Sequence, residues 1–151
     1  MKQKRIIGYT TGVFDLFHIG HLNILRKASA DCDSLLVGVT TDELCHFRKN
    51  KFPIIPYKER AEIIRSLKFV DRVVPQKDMD KLQAWERYKF HKIYVGDDWK
   101  GSARWNRYED QFQSVGVQVI YLPYTNHVSS TILREKISEN NSEKKVANLS
   151  I

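Results

Sequence analysis

The chain is poor in cysteine and has no long hydrophobic run. Its 151 residues include two cysteines, Cys32 and Cys45, whose separation does not match the spacing of metal-ligand pairs. A cytosolic pair of this kind is normally reduced, so we expect no disulfide. No apolar stretch approaches the ~20 residues of a membrane-spanning helix, and the basic N-terminal segment lacks the longer apolar stretch of a signal peptide. The sequence therefore predicts a cytoplasmic protein with no membrane partner.

Acidic residues are also fewer than basic residues. Lysine and arginine number 25 against 18 aspartate and glutamate, which gives a net charge of +7. Such a balance favours anionic partners, among them nucleotides, sugar phosphates and nucleic acids. A basic cluster at residues 48–51 and several aromatic residues would suit nucleic acid, but no nucleic-acid-binding motif accompanies them. We therefore expect a small phosphate-bearing ligand and no nucleic acid.

Strand-like and helix-like segments alternate along the chain. Runs rich in β-branched or aromatic residues lie at 6–9, 35–39, 73–74, 92–95 and 117–122. Apolar residues at helical spacing occur within 22–30, 57–67, 79–88, 105–115 and 132–137. This alternation predicts an α/β fold, namely a Rossmann-like, doubly wound, parallel five-stranded sheet with helices on both faces. We interpret the aromatic stripes at 79–88 and 105–115 as core packing.

His18 and His21 flank Gly20 where a predicted strand ends and a predicted helix begins. The segment Val13–Leu22 reads VFDLFHIGHL. Backbone N–H groups and the positive end of the helix dipole favour phosphate at such a position, and the missing Cβ of Gly20 would let an anion approach the backbone. Two imidazoles aimed at one phosphoryl group would stabilise charge that grows in a transition state. The alternatives are two partly buried structural histidines or a metal site, and the strand–turn–helix context favours phosphate.

The carboxyl edge of the predicted sheet is where a ligand is expected. In open parallel sheets, ligands bind beyond the carboxyl ends of the strands, where the strand order switches. His18 and His21 follow the first predicted strand, and Asp97–Trp99 follow the fourth. These segments are therefore predicted to converge on one site.

Several motifs occur together and in a fixed order. The segment Gly12–His21, GVFDLFHIGH, resembles the GxFDxxHxGH segment of the cytidylyltransferase-like nucleotidyltransferases, especially the bacterial glycerol-3-phosphate cytidylyltransferases. Further matching segments are TDE at 41–43, YKER at 57–60, FVD at 69–71, GDDW at 96–99 and VSST at 128–131. The resemblance covers about residues 6–137.

The resemblance implies a reaction between CTP and a small phosphorylated acceptor, which is glycerol 3-phosphate or a related polyol or amino-alcohol phosphate. A phosphate oxygen of the acceptor would attack the α-phosphorus, and a CDP-linked product and pyrophosphate would form. The nucleophile is already anionic near neutral pH, so catalysis would rest on positioning and charge stabilisation. The family also implies Mg²⁺ held mainly by the nucleotide phosphates, no metal site of the protein itself, and a homodimer.

The resemblance assigns roles to individual residues. His18 and His21 would donate hydrogen bonds to the triphosphate, and Asp15 would brace the loop. Lys49 or Lys51 would cover the phosphates, and we favour Lys51 as the catalytic lysine. The remaining nucleotide-contacting positions are Gly12, Val13, Phe14, Gly20, Lys68, Asp97, Asp98, Trp99, Tyr124, Thr125, His127, Ser129, Ser130 and Thr131.

Three of these segments have an interpretation in the residues themselves. A carboxylate at 97–98 suits an amino group or a ribose hydroxyl, and the indole of Trp99 offers a surface for a base or an acceptor. The hydroxyls at 129–131 read as a helix N-cap, and in the family they hold the β- and γ-phosphates. Lys68 stands where the glycerol-phosphate enzymes often have arginine, so charge is kept but bidentate contact is lost.

One segment departs from the family pattern. Where the family has RTEGIST, this chain reads YTNHVSS at 124–130, so that Tyr124 replaces an arginine and His127 a glycine. His127 or Arg134 would have to compensate for the missing cation. Because several residues change together, we interpret the change as adaptation to a different acceptor. An adenylyltransferase of the same fold and a non-catalytic nucleotide-binding module remain as alternatives.

We divide the chain at Ile137. Residues 1–137 form the predicted nucleotidyltransferase domain. Residues 138–151 are polar as far as Val146 and lose helical periodicity, so we predict a tail that is frayed or packs weakly on a neighbour.

Overall fold

A parallel sheet forms the centre of the computed structural model, which describes residues 4–125 and 128–149. Its strands are β1 (Ile7–Gly12), β2 (Ser34–Thr40), β3 (Arg72–Gln76), β4 (Lys92–Gly96) and β5 (Gln118–Leu122). All neighbouring strands pair in parallel, in the order β3-β2-β1-β4-β5. The predicted α/β fold with a five-stranded Rossmann-like sheet is confirmed.

Six α-helices connect or follow the strands in the described ranges. They are α1 (Ile19–Ala30), α2 (Asp42–Lys49), α3 (Tyr57–Arg65), α4 (Lys81–Tyr88), α5 (Ala103–Ser114) and α6 (Ser130–Leu149), and a short 3₁₀ helix spans Asp97–Trp99. Within 4–125 and 128–149, no helix is long and apolar enough to cross a membrane.

The two faces of the sheet bury separate hydrophobic cores. Successive strand residues point to opposite faces, so in β2 Leu35, Val37 and Val39 enter one core while Leu36 enters the other. Helices α1 and α3 cover the first core, and α4 and α5 cover the second. Trp105 is buried and its neighbours from the aromatic stripes pack around it, so these stripes are core residues, as predicted.

Three features differ from the sequence predictions. Helix α2 was not among the predicted helices, but Thr41 caps it by accepting from the Leu44 N–H at 3.2 Å, and Asn50 ends it in the left-handed region at φ 56°. Met79 lies before α4 and lines the central cavity. Helix α6 continues to Leu149, because residues 138–149 contain no glycine or proline to stop it.

The strand order places a crevice beside β1. The chain moves from β1 outward to β2 and β3, then returns to β4 on the other side of β1. The loops that follow β1 and β4 therefore diverge, and a ligand is expected in the gap between them.

Candidate active site

The two histidines cap the helix on which they lie. His18 is the N-cap of α1, and its Nδ1 accepts a hydrogen bond from the Gly20 N–H at 3.0 Å. His21 Nδ1 accepts in turn from the His18 N–H at 3.3 Å, which completes a reciprocal capping box. Because both Nδ1 atoms accept, both rings carry their proton on Nε2. The rings stack with their centroids 3.9 Å apart.

Both histidines are held in the neutral form. Burial lowers the pKa of His18. Burial and the neighbouring His18 lower the pKa of His21 to about 4, although Asp15 opposes this shift. The Nε2 atom of His18 is buried and has no hydrogen-bond partner among the described residues. A buried donor without an acceptor is costly, so this N–H indicates a place where a ligand oxygen would bind.

Gly20 is required by the histidines rather than by a ligand. A Cβ at this position would lie 2.8 Å from Cε1 and 3.0 Å from Nδ1 of His18. The imidazole therefore occupies the space that we had expected an approaching anion to use. This corrects the predicted reason for the glycine but keeps its link to the histidines.

Asp15 ties three segments together beneath the site. Its carboxylate accepts from the N–H groups of Ile54 at 2.8 Å and Ile55 at 2.9 Å, and from the Arg134 guanidinium. Burial would raise its pKa, but these donors outweigh burial and the pKa is lowered. Phe14 and Leu16, on either side, have positive φ values of 55° and 51°, a strain that surrounding contacts must maintain.

Helix α6 begins against the same loop. Ser130 Oγ donates to the Asp15 carbonyl oxygen at 2.5 Å, and Ser129 Oγ accepts from the Ile132 N–H at 3.0 Å. Asn23 of α1 donates to Thr125 Oγ1 at 3.1 Å. The N-terminal ends of α1 and α6 therefore lie side by side, and both present partial positive charge to the crevice.

A cavity of about 580 Å³ fills the crevice. The predicted site residues in its wall are Gly12, Val13, Phe14, Asp15, His21, Lys49, Lys51, Asp98, Trp99, Tyr124, Ser129, Ser130 and Thr131. Six cationic side chains line it, those of Arg48, Lys49, Lys51, Lys81, Arg104 and Arg134, whereas the carboxylates are those of Asp15 and Asp98. The excess of positive charge is suited to a polyanion.

Other predicted residues lie outside this wall. His18 and Gly20 support His21, and Thr125 bonds to Asn23. Asp97 and Lys68 are exposed and are not part of the wall. His127 lies outside the described residues.

Tyr124 packs on the end of β4. A Cβ at Gly96 would lie 2.6 Å from the Tyr124 ring, so the ring occupies the space that a side chain at position 96 would need. Burial, and then the charge of Asp98, raise the pKa of Tyr124 to about 12, so its hydroxyl is neutral at physiological pH. The tyrosine that replaces the family arginine is therefore an uncharged neighbour of the Asp98–Trp99 turn.

Two further motifs are joined by a buried arginine that sequence reasoning did not assign to the site. Arg60, which is 1% exposed, donates to Asp42 at 2.6 Å and to the carbonyl oxygens of Val13 at 2.6 Å and Thr40 at 2.8 Å. It fixes the start of the β1–α1 loop. The signal was present in the sequence, since Asp42 and Arg60 belong to the TDE and YKER segments.

Lys81 was also missed, because it belongs to no motif. It is the first residue of α4, is 5% exposed, and reaches the cavity wall beside β1. Only the folded arrangement brings it near the loops that carry the histidines.

Comparison with known proteins identifies the family to which the chain belongs. A family model described as cytidylyltransferase-like matches residues 9–136. The chain belongs to the cytidylyltransferase-like family. The matched range contains the histidine turn, the cavity lysines and the start of α6.

Individual relatives of this cytidylyltransferase-like protein differ in the substrates that their names record. The glycerol-3-phosphate cytidylyltransferase of Bacillus spizizenii is 33% identical over 136 residues, covering 89% of this chain and 98% of that protein. The FAD synthase of Pyrococcus abyssi is 36% identical over 124 residues, covering 80% and 82%. The crystal structure of the lipopolysaccharide core biosynthesis protein from Thermoplasma volcanium superimposes with a TM-score of 0.68 at 26% identity, covering 83% and 100%.

Proposed function

We propose that the protein transfers a cytidylyl group from CTP to a small phosphorylated acceptor and releases pyrophosphate. The observation that carries the proposal is the unpartnered Nε2–H of His18, stacked on His21 at the edge of a cavity lined with cations. Two neutral donors at paired helix N-termini suit a phosphoryl group on which charge grows during reaction.

In the proposed reaction, some residues position the reactants and others stabilise the charge on the phosphates. An acceptor phosphate oxygen forms a bond to the α-phosphorus, and the bond from that phosphorus to the bridging oxygen breaks, so the electron pair leaves with pyrophosphate. The Nε2–H groups of His18 and His21 donate to the reacting phosphate oxygens. The hydroxyls and N–H groups at Ser129–Thr131 hold the departing phosphates, and Lys51, with Lys49, neutralises their charge.

The cavity fits a metal ion carried by the nucleotide. Among the described residues, no group of three side chains could hold a metal. The Asp15 oxygens already accept from Ile54, Ile55 and Arg134. As the family resemblance implies, we expect Mg²⁺ to be held mainly by the substrate phosphates and to neutralise part of their charge.

We assign the nucleotide base to the end of β4. Asp98 and Trp99 lie in the turn after Gly96, where a carboxylate can accept from the cytosine amino group and the indole offers a stacking face. The similarity to archaeal FAD synthases favours a second candidate, an adenylyltransferase that uses ATP and another phosphate. A non-catalytic module is disfavoured because the histidine pair retains an unsatisfied donor.

A pyrophosphate-release assay tests these alternatives. CTP and ATP are each combined with glycerol 3-phosphate, polyol phosphates, amino-alcohol phosphates, phosphonates and FMN. We expect release with CTP and one of the compact phosphates, and none when His18 and His21 are both alanine. An equal or higher kcat/KM with ATP would establish the adenylyltransferase, and no release with any pair would establish the non-catalytic module.

We also propose, from the family resemblance alone, that the protein is a homodimer. Light scattering after size exclusion is expected to give twice the chain mass of 17.7 kDa. A mass of one chain across the micromolar range would exclude the dimer.

A further inference from the structure

Gln76 is a buried amide in the cavity wall to which the mechanism above gives no role. It is the last residue of β3 and is 7% exposed. In the sheet register it pairs with Thr40, the last residue of β2, whose Oγ1 donates to Gln76 Oε1 at 2.8 Å. Both residues line the cavity. The carbonyl end of the amide therefore has a hydrogen-bond partner within the protein.

The amino end of the amide lacks a strong partner. The Nε2 atom of Gln76 carries two N–H donors, and its one partner among the described residues is the thioether sulfur of Met79 at 3.7 Å. A thioether is a weak acceptor, and burying an amide donor without a good acceptor is costly. The sulfur can accept but cannot donate, so it fixes the orientation of the amide. Gln76 therefore presents under-used N–H donors at the cavity wall.

Neighbouring contacts hold the amide in place. The Gln76 carbonyl oxygen accepts from the Thr41 N–H at 3.1 Å. The hydroxyl of Tyr108, on α5, donates to the Met79 carbonyl oxygen at 2.9 Å, and both of these residues also line the cavity. The backbone on both sides of the amide is therefore fixed, and its donors are pre-organised for a ligand.

The position of Gln76 in the sheet indicates which part of the substrates it meets. Side chains two residues apart in a strand share a face, and Val74 belongs to the core that α4 and α5 cover, whereas α1 covers the other core. Gln76 is therefore on the face opposite to the helix that carries the histidines. Strands β2 and β1 separate it from β4, where the base is assigned. The part of the substrates left for Gln76 is the non-phosphate part of the acceptor.

The chemistry of this place disfavours an amine. An N–H donor needs a lone pair, which a hydroxyl oxygen has and an ammonium group lacks. In the described part of the chain, the carboxylates of the cavity wall are Asp15 and Asp98, against six cationic side chains. Asp15 already accepts from the Ile54 and Ile55 N–H groups, and Asp98 follows β4. An ammonium group beside Gln76 would meet N–H donors in place of a carboxylate.

We propose that Gln76, with Thr40, determines the specificity for the acceptor by binding a hydroxyl group of its non-phosphate part. The Gln76 N–H donates to the hydroxyl oxygen, and Thr40 Oγ1, whose proton is directed to Gln76, accepts from that hydroxyl. The acceptor is then a hydroxylated phosphate monoester, as distinct from a simple alkyl phosphate or an amino-alcohol phosphate. The inference rests on the proposed function for the identity of the reaction, but binding of the hydroxyl does not depend on turnover.

Three phosphate monoesters of similar size test the assignment. Glycerol 3-phosphate carries hydroxyl groups, propyl phosphate carries none, and 3-aminopropyl phosphate carries an ammonium group. With CTP as the second substrate, we expect kcat/KM for glycerol 3-phosphate to exceed that for each of the others at least ~100-fold, because a site built to bind a hydroxyl rejects an analogue that lacks it.

Two variants of Gln76 identify the group responsible. Gln76→Met removes the N–H donors and should lower kcat/KM for glycerol 3-phosphate at least ~10-fold, with propyl phosphate and the KM for CTP within about twofold of wild type. Gln76→Glu keeps an acceptor for Thr40 and adds a carboxylate, so it should raise the use of 3-aminopropyl phosphate relative to glycerol 3-phosphate at least ~10-fold. Gln113→Met and Gln113→Glu, at an exposed glutamine of α5 outside the cavity, are the matched controls and should match wild type.

Calorimetry measures the same discrimination without turnover. Glycerol 3-phosphate and propyl phosphate are titrated separately into wild type, Gln76→Met, Thr40→Val and Thr40→Ser. We expect the methionine and valine variants to lose the preference for the hydroxylated ester. Thr40→Ser keeps the hydroxyl group and should retain the preference, which separates the hydrogen bond from the packing of the side chain.

The outcomes separate this inference from the proposed function. Equal use or equal binding of glycerol 3-phosphate and propyl phosphate by the wild type, or binding of neither, overturns the role of Gln76. So does an equal loss of all three esters in Gln76→Met, which is what a purely structural role would give. Pyrophosphate release with other phosphates would in these cases leave the proposed reaction in place. A preference for glycerol 3-phosphate that depends on Gln76, in a protein that releases no pyrophosphate, overturns the proposed reaction and supports the hydroxyl site.

Discussion

At the scale of single residues, the two nitrogens of each histidine ring have different roles. One nitrogen stabilises the helix, and the other is proposed to take part in the chemistry. The Nδ1 atoms of His18 and His21 close the capping box of α1. The Nε2–H groups are the ones proposed to meet a ligand, and that of His18 has no protein partner among the described residues. A substitution can therefore remove the donor while keeping the helix cap, and this property separates catalysis from folding.

We expect His18→Ala and His21→Ala each to lower kcat at least ~100-fold, the scale of losing one oxyanion-type donor, with a much smaller change in CTP affinity. His18→Ser and His21→Gln retain capping groups but lack the Nε2–H, so they should be as slow as the alanine variants and more stable. Steady-state kinetics and urea unfolding measure the two effects. Restored turnover in the serine or glutamine variant would show that the histidines act only as caps.

Tyr124 determines the surroundings of the assigned base site. Its ring packs on Gly96 beside Asp98. The interpretation of the changed 124–130 segment as an adaptation to the acceptor stays a prediction. If the base binds at Asp98 as proposed, Tyr124 borders the nucleotide instead. The reason is the register of β4 and β5, in which Gly96 pairs with Leu122, two residues before the tyrosine.

Tyr124→Arg should therefore alter nucleotide selection. A guanidinium beside Asp98 would pair with that carboxylate and compete with the cytosine amino group, so we expect the preference for CTP over ATP to fall about 10-fold, the effect of one charged hydrogen bond. The acceptor KM should not change. Tyr124→Phe keeps the ring on Gly96 and serves as the control. A changed acceptor KM with an unaltered preference between CTP and ATP would show that Tyr124 contacts the acceptor rather than the nucleotide.

At the scale of secondary-structure elements, the site is assembled by contacts between distant segments. The histidine turn was predictable because its signals are local: a strand, a glycine and a helix start within ten residues of Gly12. The stacking of His18 over Gly20 and the reach of Lys81 to Thr11 were not predictable. They depend on rotamers and on contacts across 70 residues of chain, which no periodicity encodes.

Helix boundaries show the same limit. Helix α2 was missed because residues 42–49 have too few apolar side chains for a clear stripe, and its cap at Thr41 and its left-handed end at Asn50 define it instead. Helix α6 was ended too early because its later residues are polar. In both cases the signal that apolar periodicity lacks is carried by local capping or by helix propensity.

The contact that joins these elements most directly is the Asp15–Arg134 ion pair. Asp15 has a side chain that is 1% exposed, and Arg134 one that is 28% exposed. Asp15→Ala also leaves the Ile54 and Ile55 N–H groups without acceptors, so we expect a loss of about 3 kcal/mol in the free energy of unfolding. Glu62→Ala, which removes an exposed ion pair with Arg65, should cost less than about 0.5 kcal/mol. Urea unfolding compares them, and equal costs would show that Asp15 is not a structural brace.

At the scale of the whole molecule, the charge is concentrated where the strands end. The chain carries a net charge of +7, and six cations line a cavity whose carboxylates are Asp15 and Asp98. Like charges at one site destabilise the folded state through repulsion, and a bound polyanion removes that repulsion. If the proposed polyanion binds, we therefore expect ligand binding and stability to be coupled.

CTP should accordingly stabilise the fold. At 100 times its Kd, a ligand that binds only the native state adds about 2.7 kcal/mol, which corresponds to a rise in Tm of roughly 5–10 °C for a domain of this size. The same phosphate concentration of duplex DNA at 0.15 M salt should cause no such rise. Thermal unfolding with each ligand measures the shifts. A larger shift with duplex DNA than with CTP would mean that the cations serve a nucleic acid, since only an extended polyanion would engage surface charge beyond the cavity.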